Sequence, residues 1–117
     1  MLEFHSDGLL YATSETRDSV VRFDTQAGTR LGNFFPSGTG GLGTPIGLAF
    51  GPDNRWYVSS ADNNSILRYD EDGNFVDVFL DGSSAGNVNL PVFLTIVPEP
   101  ASGLLLILLV GVRRASR

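Results

Sequence analysis

A shift of 46 residues lays the chain upon itself. Leu2, Phe4, Asp7, Tyr11, Ser14, Ser19, Arg22 and Asp24 recur as Leu48, Phe50, Asp53, Tyr57, Ser60, Ser65, Arg68 and Asp70, giving 8 identities over 23 aligned positions. Conservative pairs fill the gaps, with Val20-Val21 against Ile66-Leu67 and Phe23 against Tyr69. After a one-residue slip Gly28 meets Gly73, Leu31 meets Val76 and Phe34 meets Phe79. The register then returns, with Pro45 against Pro91, Leu48 against Leu94 and Phe50 against Ile96. A chain of this kind is a series of copies of one supersecondary unit, each burying its apolar face on the next.

Within a unit the signals are those of short strands. In the second, Ile46–Phe50 is an apolar run ended by the turn cluster Gly51-Pro52-Asp53-Asn54. Trp56–Ser60 follows, then the break Ala61-Asp62-Asn63-Asn64. Ser65–Asp70 alternates apolar and polar residues, Glu71-Asp72-Gly73 turns the chain, and Phe75–Leu80 is rich in β-branched and aromatic residues. Helical periodicity is absent before residue 100. Four strands in a unit of this length match the spacing of a β-propeller blade. The expected fold is therefore all-β, with two four-stranded antiparallel propeller blades (a partial β-propeller) over residues 1–96. The units start near residues 2 and 48, and a third begins after them.

The run Gly41-Leu42-Gly43-Thr44-Pro45-Ile46-Gly47-Leu48-Ala49-Phe50-Gly51-Pro52-Asp53-Asn54 resembles the opening of NHL-type propeller repeats. The continuation through Trp56-Tyr57-Val58-Ser59-Ser60 and Asn63–Asp70 resembles them too, although Ser60 and Ser65 stand where that family often has Asp and Arg. The resemblance extends to the group that includes streptogramin-lyase-like and gluconolactonase-like propellers. It implies a binding or scaffolding module or, alternatively, an enzyme of lactonase or lyase type whose catalytic blades are missing from this chain. Propellers close with about 4–8 blades, so the expectation is the C-terminal part of a longer propeller. A ring of several copies and a stand-alone two-blade module are the alternatives.

The last 20 residues differ in kind. Residues 1–97 hold 12 acidic and 5 basic groups, whereas residues 98–117 set Glu99 against Arg113, Arg114 and Arg117. Pro98-Glu99-Pro100 precedes an uncharged run, Ala101–Val112, that contains Leu104, Leu105, Leu106, Ile107, Leu108, Leu109 and Val110. A transmembrane-type helix is expected at 101–112, with the basic tail 113–117 held on the cytoplasmic side. Twelve helical residues rise roughly 18 Å, short of the roughly 30 Å hydrocarbon core. Val97–Ser102, the apolar run and the arginines together resemble the PEP-CTERM sorting signal of Gram-negative bacteria.

That resemblance implies recognition of Pro98, Glu99 and Pro100 by an exosortase-type membrane protease. It also implies an inner-membrane intermediate and a final place at the cell surface or in the extracellular matrix, where polysaccharide or another protein is the expected partner. Two fixed φ angles and two missing N–H groups keep the motif extended and open to a protease. Met1–Asp7 carries neither the basic residue nor the apolar run of an export signal, and this missing entry signal agrees with the expectation of a truncated start.

The remaining side chains exclude several chemistries. With 117 residues, no cysteine and a single histidine, neither a disulfide framework nor a Cys- or His-clustered metal site is possible. A net charge of −5 without lysine argues against nucleic acid as a partner. No catalytic residue, metal ligand or cofactor is assigned. Gly38-Thr39-Gly40-Gly41-Leu42-Gly43 fits G-x-G-x-x-G, but a strand follows it where a dinucleotide site needs a helix, so it reads as a linker between units. Asp62, Asn63 and Asn64, and likewise Asp70, Glu71 and Asp72, read as solvated turns with too few oxygens for calcium. Recurrence makes Asp24 and Asp70 strand-end hydrogen-bonding groups and gives Arg22 and Arg68 cross-strand carboxylate partners. His5 reads as a surface histidine, and Trp56 and Tyr57 as packing residues.

Overall fold

The computed structural model describes residues 1–81 together with the strands Phe93–Pro98 and Leu105–Val110. Two four-stranded antiparallel sheets form its body. The first runs β1 (Leu2–Phe4), β2 (Leu9–Ser14), β3 (Ser19–Asp24) and β4 (Thr29–Asn33), each strand beside its predecessor. The second repeats the order with β5 (Pro45–Phe50), β6 (Trp56–Ser60), β7 (Ser65–Tyr69) and β8 (Phe75–Asp81). Register repeats with the sequence: Tyr11 lies opposite Arg22 as Tyr57 lies opposite Arg68, and Ser14 opposite Ser19 as Ser60 opposite Ser65.

The turns show why this sequence folds as two copies. Gly8 and Asn54, one repeat apart, have φ of 85° and 61°, and Asp18 and Asn64, also one repeat apart, have φ of 48° and 54°. The left-handed region is open to Gly and tolerated by Asn and Asp, so the exchange of residue type leaves the turn unchanged. Asp24 and Asp70 close the hairpins after β3 and β7. Asp24 Oδ1 accepts from the Gln26 and Ala27 amides, and Asp70 Oδ1 from the Asp72 and Asn74 amides. Both aspartates are thus strand-end hydrogen-bonding groups.

The core is the seam between the sheets. Tyr11, Val20, Phe34 and Phe35 from the first meet Leu48, Trp56, Val58, Leu67 and Tyr69 from the second, with Leu42 of the connector between them. Phe35 stacks on Tyr69 with centroids 4.3 Å apart, and Tyr11 lies 4.4 Å from Trp56. Each such side chain removed from water contributes roughly 1.5–3 kcal/mol. Alternation decides the faces: Trp56 and Val58 point into the seam, while Tyr57 and Ser59 take the far side of the second sheet, as period-2 geometry requires.

β9 (Phe93–Pro98) pairs antiparallel with β10 (Leu105–Val110), with Leu105 opposite Pro98 and Val110 opposite Phe93. β9 lies against β5 and β6, much as β5 lies against β1 and β2. This agrees with the recurrence of Leu48 as Leu94. Of the helix expected over 101–112, the described stretch Leu105–Val110 is extended, and the remainder lies outside the described residues. Among the described residues no helix is long and apolar enough to cross a membrane.

Candidate functional site

Of the sorting motif, Pro98 closes β9, while Glu99 and Pro100 lie outside the described residues. So do Leu104, Arg113, Arg114 and Arg117. Leu105, Leu106, Ile107, Leu108, Leu109 and Val110 make up β10.

The polar residues that recur form a repeated device on the sheets. Tyr11 donates to Asp7 Oδ2 at 2.7 Å, and Tyr57 donates to Asp53 Oδ2 at 2.6 Å. The same aspartates cap their turns, Asp7 Oδ1 accepting from the Leu9 amide and Asp53 Oδ1 from the Arg55 amide. Burial, helped by Asp7, pushes the Tyr11 phenol up to about 12, and burial with Asp53 raises that of Tyr57. Both hydroxyls therefore stay protonated donors, which suits a structural tie and not a general base.

Arg68 forks onto Asp77 of β8, with Nε 2.7 Å and Nη2 2.6 Å from its two oxygens. That contact holds the Asp77 carboxyl below the ordinary range. Asp77 is thus the cross-strand partner expected for Arg68. Arg22 lacks its counterpart, because Gly32 stands opposite it on β4. Its guanidinium lies 5.3 Å from the centre of the Phe34 ring, and its buried Nε has no hydrogen-bond partner among the described residues.

The glycine-rich stretch is the connector between the sheets. Thr39–Gly41 is one 3-10 turn, and β5 follows it directly. The Thr44 amide donates to Asp18 Oδ1 at 2.9 Å, and the Thr44 hydroxyl to Asp62 Oδ1 at 2.9 Å. Ser60 Oγ donates to Asn63 Oδ1 and accepts from the Gly43 amide. Asp62 and Asn63 are thereby engaged in holding the connector, and Asn64 supplies the left-handed turn residue. No group of three or more acidic or histidine residues suited to a metal occurs among the described residues. A shallow groove of ≈ 320 Å³ runs between connector and outer strand, lined by Gly40, Asn63, Ser65, Leu67, Val78 and Asp81.

His5 is not a surface residue. Its side chain is 8% exposed, enclosed by Phe50, Trp56 and Tyr11, with Nε2 3.3 Å from Glu71 Oε2. Its place in a hairpin turn hid this, since the enclosing residues Phe50 and Trp56 come from the other unit. Only the aromatic character of positions 50 and 56 signalled it. Compared with known proteins, the chain matches no family model, no curated protein and no solved structure.

Proposed function

We propose that the chain belongs to an exported cell-surface or matrix protein. In this reading residues 1–96 are part of an NHL-like β-propeller that binds or scaffolds, and residues 97–117 are its sorting address. The observation that carries the reading is the order of the tail: Pro98-Glu99-Pro100, then the uncharged run 101–112, then Arg113, Arg114 and Arg117. The two like sheets in series support the first half, since stacked four-stranded meanders are the way propellers bury apolar faces.

The apolar run takes a different form in lipid. A two-stranded hairpin leaves outward N–H and C=O groups that hydrocarbon cannot satisfy, whereas a helix satisfies them within itself. On insertion residues 101–112 become the membrane helix, and the arginines stay with the cytoplasmic headgroups. An exosortase-type protease then cuts at the motif on the outer side. In this reading no catalytic task falls to the recurring pairs on the sheets, where Tyr11, Tyr57 and Arg68 are tied to carboxylates and Arg22 lies over the Phe34 ring.

The test replaces Pro98, Glu99 and Pro100 with alanine in cells that contain such a protease. The expected result is a product that keeps its whole tail and stays in the membrane fraction. Release and shortening equal to the parent protein would overturn the sorting role.

A further inference from the structure

We propose that Arg22 anchors a carboxylate-binding site at the outer edge of the first sheet, the acid being supplied by a ligand and not by the chain. The second sheet shows the complete arrangement. Arg68 lies over the Phe79 ring at 5.2 Å, and with Nε and Nη2 it forks onto the two oxygens of Asp77. Arg22 is the repeat partner of Arg68, and Phe34 that of Phe79. Arg22 lies over the Phe34 ring at 5.3 Å, but Gly32 faces it where Asp77 faces Arg68. Cation and ring are repeated, and the acid is not.

The guanidinium shows what it lacks. Its Nε is buried without a hydrogen-bond partner, and Arg22 makes no ion pair among the described residues. Tyr11, opposite it on β2, offers a phenol and no carboxylate. Acids of the surrounding turns are engaged: Asp7 with the Tyr11 hydroxyl and the Leu9 amide, Asp24 with the Gln26 and Ala27 amides, and Glu71 with His5. A ring face attracts the cation but leaves its N–H edge unpaired. A buried donor without a partner is costly, so filling that edge is a net gain. A carboxylate fills it with two parallel bonds, which a chloride or a hydroxyl cannot do.

Room for the acid comes from the slip between the repeats. Nothing stands within 4 Å of the place a Cβ would take at Gly32. The ladder between β3 and β4 shifts at this point, passing over Leu31, which is 47% exposed, and β4 is the outer strand. An incoming carboxylate therefore enters from the edge, where the interrupted ladder yields first. A free organic acid and a uronate residue of an acidic polysaccharide share this chemistry. A uronate makes Arg22 a contact point of the binding module proposed above, and in that respect alone the site rests on that reading.

The purified full chain is to be titrated with sodium acetate and, separately, with trigalacturonate, at constant ionic strength and about pH 7, where carboxylates are ionised. The Nε–H signals of its arginines are followed by NMR. The Arg22 signal should move and saturate, while that of Arg68, already bonded to Asp77, stays in place. With about 0.2 M acetate replacing chloride, the thermal midpoint of the parent should rise about 2 °C more than that of Arg22→Gln. Half-saturation by trigalacturonate at a concentration about tenfold or more below that of acetate assigns the site to an acidic glycan, and similar concentrations assign it to small organic acids. An Arg22 signal that moves with neither ligand, or no more than that of Arg68, would overturn the site. That readout comes from the parent protein and holds even if Arg22→Gln fails to fold. Processing of the tail plays no part in it, so a negative result here leaves the sorting role standing.

Discussion

Leu2, Phe4, Leu10, Ala12, Val21 and Phe23 of the first sheet are the repeat partners of Leu48, Phe50, Trp56, Val58, Leu67 and Tyr69 of the second. In the second sheet this face docks on Tyr11 and Val20, and Leu48 is wholly buried. In the first sheet the same face has no such neighbour along β1 among the described residues, and Leu2 is 64% and Phe4 67% exposed. Strand, register and turn are alike in the two. What differs is whether a further sheet lies alongside, so burial here belongs to the stacking and not to the strand. An apolar strip of this kind is a surface on which chains associate.

Substitutions at paired positions would break or sharpen that contrast. Leu48→Ala should cost about 2–5 kcal/mol, the range for emptying a buried leucine site. Leu2→Ala should cost no more than about 0.5 kcal/mol. Urea unfolding of both variants is the check, and equal losses would mean that the first face is covered in solution. The glycines come next. Gly73 has φ 88°, and a Cβ there would lie 2.6 Å from the Phe34 carbonyl oxygen, whereas nothing stands within 4 Å of a Cβ at Gly28. Left-handed strain alone sets Gly28→Ala at about 1 kcal/mol, and the added clash takes Gly73→Ala to about 3 kcal/mol. Thermal midpoints will separate the two.

Where the sheets agree, the losses should agree. Tyr11→Phe and Tyr57→Phe each delete a hydroxyl bound to a carboxylate and should each cost about 1–2 kcal/mol. A large inequality would show that the device is repeated in geometry but not in strength. The smallest effect is at Asp77, a partly exposed partner of Arg68, where Asp77→Asn should cost at most about 1 kcal/mol. Because Arg68 lowers the folded carboxyl, the stabilisation is present above the unfolded carboxylate range and disappears as pH falls through the folded value. Acid titration of the parent against the variant reads it. The first sheet has no counterpart, since Gly32 faces Arg22.

Much of this architecture could be read from local chemistry. Trp56–Ser60 is a strand at the bounds its composition marks, and β5, β7 and β8 differ from their expected limits by one residue each at one end. Apolar alternation and turn residues act within a few positions of the chain, and they carry those assignments. The role of Asp18 was harder to see, because its carboxylate caps the Thr44 amide 26 residues away. Arg22 misled for a related reason. Its recurrence with Arg68 promised a cross-strand acid, but the one-residue slip between the repeats places a glycine with φ 103° there, at the register shift in β4. His5 was missed because its cage is assembled by two sheets docking, which no local pattern encodes.

Trp56 is the single tryptophan of the chain, and its indole sits among Tyr11 and Phe34 of one sheet and Phe50 of its own, next to the His5 ring. Its intrinsic fluorescence is therefore a local spectroscopic probe. Separation of the sheets would admit water to the indole and shift the emission to the red while the strands, and the far-ultraviolet signal they give, persist. Two optical signals from unlabelled protein thus distinguish undocking from unfolding.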